Sequence, residues 1–204
     1  LILSISVILL SSCKDLNKTS DDIVKKDYDF AASQLTLAML HTEKGIAEES
    51  VESKEKREKK GHGPLVSPRS IEETGELILV PSRDWTSGFL PGELWYMYEY
   101  TKDPKWEEAA RKYTARIEPE KKNGTTHDMG FKVYCSFGNG YRITQNPHYM
   151  AVMVTGAYSL ATRYNSTICA LRSWDPNKDK WQFSVFIANM MKLELLHRIA
   201  EQTG

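Results

Sequence analysis

From Phe89 onward, apolar positions recur at helical intervals, and the recurrences themselves repeat. Thr101-Lys102-Asp103-Pro104-Lys105-Trp106 returns as Thr144-Gln145-Asn146-Pro147-His148-Tyr149, displaced by 43 residues. Each copy offers an Asp or Asn to cap a helix and a Pro at its first position, where the missing N–H costs nothing. After the first cap, Trp106, Ala109, Ala110, Tyr113 and Ile117 fall on one helical face, and after the second Tyr149, Val152, Met153, Ala157, Leu160 and Tyr164 do so. Before each cap lies another apolar segment, Phe89 to Tyr100 and Phe131 to Ile143. Gly138 and Gly140 predict a break or bend in the second. The pattern predicts helical hairpins joined by short Asx-Pro turns, and a period near 40 residues predicts that they stack.

Upstream, the pattern predicts one helix from Asp27 to Glu58, apolar early and charged late. Gly61-His62-Gly63-Pro64 ends it, and an irregular polar link is expected to about Ser82. Downstream, Phe183 to Gln202 is helical in pattern. Leu196, Glu201 and Thr203 echo Leu94, Glu99 and Thr101 at an offset of 102. Where the earlier units read Thr-x-Asx-Pro, this one reads Thr203-Gly204, which predicts a hairpin interrupted between its helices. The fold class expected is all-α, with one domain over residues 27–204.

The first ten residues form an apolar run too short to span a bilayer comfortably, followed by Ser11-Ser12-Cys13. No Met opens the chain and no basic residue precedes the run, which points to a start further upstream. Leu10-Ser11-Ser12-Cys13 resembles a bacterial lipobox. Residues 1–13 then read as a lipoprotein signal segment with Cys13 as the lipidated residue, and residues 14–26 as a tether. The location expected is that of an exported lipoprotein, periplasmic or at the outer membrane, touching the membrane only through its lipid.

Composition removes several classes. Among 204 residues, 27 basic and 27 acidic side chains cancel, so no electrostatic case exists for nucleic acid. The run Lys54-Glu55-Lys56-Arg57-Glu58-Lys59-Lys60 interleaves acids and reads as a solvated helix end. Cys135 and Cys169 lie in no metal-like spacing, and they read as buried thiols or as a disulfide. The five histidines show no ligand spacing, so neither metal nor cofactor is expected.

Candidate chemistry concentrates in connecting segments, which on stacked hairpins share a rim. They are residues 84–92, 127–131, 172–175 and 187–191. Trp85 and Trp174 suit the C–H face of a sugar ring, or else are partly buried core residues. Asp128 is a sugar-hydroxyl acceptor, a catalytic carboxylate, or the cap of a helix starting near Gly130. His127 reads first as a structural hydrogen-bonding residue. Arg172 could meet a uronate carboxylate or form a surface ion pair.

Taken together, the strings DWTSGF-x-PG-x-LW-x-x-YE, HD-x-GF-x-x-x-x-SFGNGYR, LATR-x-N, RSWD and NMM-x-LELL resemble the bacterial unsaturated glucuronyl hydrolases. The resemblance runs from about Tyr28 to the C-terminus, and Pro68-Arg69 and the lipobox fit exported members. It implies an (α/α)6 toroid of helical hairpins, of which this chain would supply about half. The implied substrates are lyase-generated oligosaccharides ending in a 4,5-unsaturated uronate. The implied chemistry is hydration of the enol ether, in which an acid protonates the double bond, water adds to the oxocarbenium-like carbon and the hemiketal opens. By this resemblance Asp128 is the carboxylate that binds substrate and stabilises charge, and Trp85, His127 and Trp174 line the pocket. The proton-transferring aspartate falls at Ala188, which can transfer nothing, and the neighbouring Asn189 has no usable pKa. Losing such a group costs on the order of 10²–10⁴ in rate. Lys192 replaces a small polar residue in the same helix. This chain is therefore expected to turn over negligibly. The alternatives are an unsaturated rhamnogalacturonyl hydrolase and a non-catalytic lipoprotein that binds acidic sugars.

Overall fold

The computed structural model describes residues 20–175 and 180–204, so Cys13 and its lipobox lie outside the described residues. The chain forms two compact units, residues 1–37 and 38–204. The first unit contributes the start of helix α1 (Ser20–Ala47), where Asp21 and Asp22 sit in the first turn. Acids there complement the positive end of the helix dipole.

The single helix expected over Asp27–Glu58 is two. After α1 the chain breaks at residues 48–50 and restarts as α2 (Val51–Lys59). Ser50 causes the restart, because its side chain accepts from the Ser53 N–H at 3.2 Å as an N-cap. Arg57 then reaches back to Glu49 at 2.8 Å, with both side chains largely buried.

The irregular link expected to Ser82 contains an antiparallel hairpin, β1 (Leu65–Ile71) and β2 (Leu77–Pro81). Val66, Ser67 and Val80 are its buried positions. Its register shifts on either side of Pro68, which has no N–H to give to a ladder. Gly75 adopts a φ of 86° in the connection. A second small hairpin, β3 (Tyr164–Asn165) with β4 (Ala170–Leu171), follows the second helical repeat. The fold is mostly helical, and these hairpins are its departures from all-α.

The repeat forms as the pattern predicts. Helix α3 (Phe89–Thr101) turns at Lys102, whose φ is 56°, and α4 (Pro104–Ala115) starts from Asp103 accepting the Lys105 N–H at 3.0 Å. The second unit turns at Gln145, with φ 55°, and α6 (Pro147–Ala161) starts from Asn146 accepting the His148 N–H at 2.9 Å. Glu99 and Arg142, which hold equivalent places before the two turns, pair across the units at 2.7 Å. The core lies between these layers and includes Leu94, Trp95, Met97, Trp106, Ala110, Tyr113, Val152 and Leu160. Trp95 satisfies its indole N–H on Thr114 at 2.9 Å.

The bend expected before the second turn is a π-helical segment over Gly130–Gly138, continuing as α5 (Asn139–Thr144). Helix α7 (Asn189–Thr203) begins six residues later than the pattern suggests. Residues 184 and 186 instead bond to the 172–175 segment: Ser173 N–H donates to Ser184 O at 2.8 Å, and Phe186 N–H to Ser173 Oγ at 2.7 Å. Cys135 and Cys169 are both free thiols. Cys169 is exposed rather than buried, while burial pushes the Cys135 thiol up to about 11. Among the described residues no helix is long and apolar enough to cross a membrane, and no cluster of His, Cys, Asp and Glu could hold a metal ion.

Candidate active site

The His127-Asp128 pair sits where the π-helical segment begins, and helix α7 crosses directly over it. The contact is close because Gly130 has no side chain: a Cβ there would lie 2.7 Å from the Lys192 Cα. Gly88 does the same for α3, since its Cβ would fall 2.3 Å from the Phe131 carbonyl oxygen. The two glycines bring the segments after Asp84, around Asp128 and after Ala188 to one place.

Asp128 is not the helix cap that its position suggested. The π-helical segment has no side-chain cap, and the Asp128 carboxylate accepts from Lys192 Nζ at 2.7 Å and Thr126 Oγ1 at 2.7 Å. Thr126 in turn accepts the Asp128 N–H at 3.1 Å, so the turn is fixed from both ends. Burial raises the Asp128 pKa, but the bonds from Lys192 and Thr126 and the neighbouring positive charge outweigh it and hold the group below its ordinary value. A carboxylate with about four lone-pair sites retains acceptors for a ligand, and its side chain keeps 19% of its surface open.

Lys192 is 2% exposed and closes the network from below. Its Nζ also lies 2.9 Å from His127 Nε2 and 5.1 Å from the Phe131 ring centre. His127 Nδ1 meets Asn189 Oδ1, an oxygen that only accepts. Lys192 Nζ lies 3.1 Å from Nδ1 as well, so it faces both ring nitrogens. Burial, then the nearby Lys192 and Arg163 charges, outweigh Asn189 and Asp128 and lower the His127 pKa, favouring the neutral ring. Asn189 also accepts from Ser173 Oγ at 3.2 Å and donates to the Leu171 carbonyl at 2.7 Å. One buried amide thus ties helix α7, the His127 turn and the 171–173 segment together.

The two tryptophans singled out in the sequence are open, at 43% exposure for Trp85 and 39% for Trp174. Full burial in the core belongs instead to Trp95 and Trp106, at 0% and 2%. Trp85 packs on Phe89 and Phe131 with ring centres 5.8 and 5.9 Å away. Trp174 packs on His127 at 6.3 Å and on Phe186 at 5.8 Å. The β1–β2 hairpin, illegible in the sequence, helps to place Trp85. Arg69 on β1 pairs with Asp84 at 2.8 Å, and Asp84 accepts the Thr86 N–H at 2.9 Å.

Ala188 stands immediately before α7, half-buried, with no cap bond to the helix. It offers the site a methyl group beside Asn189. Arg172 takes the ion-pair alternative, with Nη1 3.4 Å from Asp175. The role of Lys192 had a signal that periodicity alone could have supplied. Asn189, Lys192, Leu195 and Ile199 are the buried positions of α7, so a lysine sits in its apolar stripe.

The comparisons with known proteins agree on one family. An unsaturated glucuronyl hydrolase of Formosa agariphila is 49% identical over 139 residues, which is 67% of this chain and 35% of that protein. An unsaturated chondroitin disaccharide hydrolase of Streptococcus agalactiae is 28% identical over 129 residues, 62% of this chain and 32% of that protein. A crystal structure of an unsaturated glucuronyl hydrolase specific for heparin matches with a TM-score of 0.66 at 34% identity, covering 85% of this chain and 43% of that one. Another glucuronyl hydrolase structure, with dGlcA-Glc-Rha-Glc, has a TM-score of 0.59 at 27% identity and covers 73% of this chain and 40% of that one. No family model matches the chain. The chain spans about a third of the length of the curated relatives it matches. These relatives and structural neighbours are unsaturated glucuronyl hydrolases, and over the matched part this mostly helical chain has their fold. By that resemblance the chain is of glycoside-hydrolase type.

Proposed function

We propose that the Trp85, His127, Asp128 and Trp174 surface is the unsaturated-uronate site of a glycoside hydrolase, and that this chain holds such sugars while turning them over negligibly. The observation that carries the reading is the Asp128 carboxylate, held ionised by Lys192 and Thr126, with the exposed Trp174 packed on its neighbour His127 and the exposed Trp85 packed on Phe131. An ionised acceptor orients sugar hydroxyls and opposes positive charge developing at the ring carbon. The indoles cover apolar C–H faces.

Hydration of the 4,5 double bond needs a proton delivered to one carbon and water added to the other, after which the hemiketal opens and releases the sugar. Asp128 is poorly placed to deliver that proton. Its depressed pKa leaves it unprotonated at neutral pH, and Lys192 occupies one oxygen. His127 is already committed through both nitrogens. Ala188 has no proton to give. The geometry therefore supports binding more than turnover, which favours the non-catalytic reading for this chain beside the hydrolase ancestry of its site.

Incubation with an unsaturated chondroitin disaccharide, following loss of the near-UV absorbance of the conjugated uronate, tests the turnover half. Only background loss is expected for the chain as it stands. Ala188→Asp is expected to raise the rate by about 10²-fold. Robust turnover by the unaltered chain, or no gain in the variant, would count against the missing acid as the limit. The lipid anchor is part of the same proposal and rests on Leu10-Ser11-Ser12-Cys13. Labelled palmitate is expected to enter the chain in a bacterial host and to be lost in Cys13→Ala. Equal labelling of both would refute it.

A further inference from the structure

We propose that a second, separate site, between the end of α6, the β3–β4 hairpin and the 172–175 segment, binds a small oxyanion of the sulfate or phosphate kind. A cavity of about 260 Å³ lies there, lined by Thr162, Arg163, Asn165, Arg172, Asp175 and Phe183 among others. Its described lining carries two guanidinium groups and one carboxylate, which leaves an excess positive charge.

The guanidinium groups are held but not saturated. Arg163, with 4% of its side chain exposed, donates Nε–H to the Arg172 carbonyl at 2.8 Å and Nη1–H to the Gly124 carbonyl at 2.8 Å. The same Nη1 lies 3.1 Å from Asp175 Oδ2. Its Nη2 is buried without a hydrogen-bond partner among the described residues. Arg172 meets Asp175 Oδ1 only at 3.4 Å, stacks over Phe183 at 5.0 Å, and its buried Nε also lacks a partner among the described residues. Two unsatisfied buried donors on charged groups are costly, and native structures rarely leave them so. These two N–H groups are themselves fully buried and do not open on the cavity. What faces it is the partly exposed guanidinium of Arg172, whose contact to Asp175 is long. Such a planar fork is suited to an oxyanion, which accepts at several oxygens at once. The volume is several times the roughly 30 Å³ that one water occupies, so a tetrahedral anion fits with room for water. None of these residues bonds to Asp128, His127 or Lys192, although the Arg163 charge acts on His127, and the inference does not rest on the uronate reading.

The test is calorimetric titration of the full chain with sodium sulfate, at an ionic strength held constant with chloride. Saturable one-to-one binding is expected. Arg172→Gln, which keeps a polar side chain and removes the charge, is expected to weaken it about tenfold or more, the worth of one charge-assisted bond. Arg163→Lys, which keeps the charge but removes the fork, is expected to weaken it similarly, with melting curves confirming that both variants fold. Glucose 6-sulfate, with glucose as control, distinguishes the sources. Competition with sulfate assigns the site to a sugar ester, and failure to compete assigns it to the free anion. Absence of saturable sulfate binding, or binding unchanged in a folded Arg172→Gln, would overturn the proposal.

Discussion

Around Asp128, residues legible in the sequence for their type were not legible for their partners. His127 packs on Trp174 and Trp85 packs on Phe131, yet Lys192, whose buried Nζ bonds to the Asp128 carboxylate, comes from 64 positions further on. Local grammar offered Asp128 a cap to make, and tertiary packing gave it an ion pair instead. The His127 ring yields a pH prediction. Its folded pKa lies below the ordinary value, so the unfolded chain takes up the proton first as pH falls. Stability contributed by the neutral ring is present above about pH 6.5 and declines on acidification from there towards the folded pKa. Asp128, also depressed, adds a second decline only below the ordinary carboxylate range. Urea denaturation at pH 7.5 and 5.5 is expected to show a drop in stability that is smaller in His127→Gln. An equal drop in both proteins would place the proton uptake elsewhere.

At the scale of elements, the Asx-Pro turns were readable because capping is local: Asp103 and Asn146 each need only the N–H two residues on. Strands β1 and β2 were not readable because a Pro interrupts the first and the second is only five residues long. Helix α7 starts later than its spacing implies because Phe183 to Ile187 has helical spacing, while Ser173 takes the backbone bonds that a helix would have used. Packing of α7 on the π-helical segment is set by Gly130. Gly130→Ala would put a methyl group 2.7 Å from the Lys192 Cα, a backbone atom that cannot swing aside. Overpacking of this kind costs about 1–3 kcal/mol. Chemical denaturation is expected to show that loss, together with an altered indole environment at Trp85 and Trp174. A variant as stable as the parent would mean that α7 is free to shift.

For the whole molecule, the helical repeat acts as a rim that collects loops from distant parts of the chain, and buried polar groups hold them there. A second buried pair, Lys132 with Glu120 at 2.6 Å, fixes the other side of the π-helical segment, and Ser82 and Asn123 complete its bonds. Burial raises the Glu120 pKa, but the Lys132 charge and the bonds from Lys132, Asn123 and Ser82 outweigh it and hold the carboxyl below its ordinary value. Removing one member of such a pair strands the other and typically costs about 3–5 kcal/mol. The sequence carried the family through its motif strings and the fold through its period. Which charges sit where depended on contacts that no local pattern encodes.

We propose that Asp128 and the two exposed tryptophans form a uronate-binding surface with negligible turnover. Titrating the chain with an unsaturated chondroitin disaccharide while following indole fluorescence tests it most directly. A saturable change is expected that is weakened about tenfold or more in Trp174→Ala, in keeping with the loss of an aromatic anchor, while the near-UV absorbance of the ligand persists. A chain whose fluorescence shows no saturable response, or one that consumes the ligand during the titration, would contradict it.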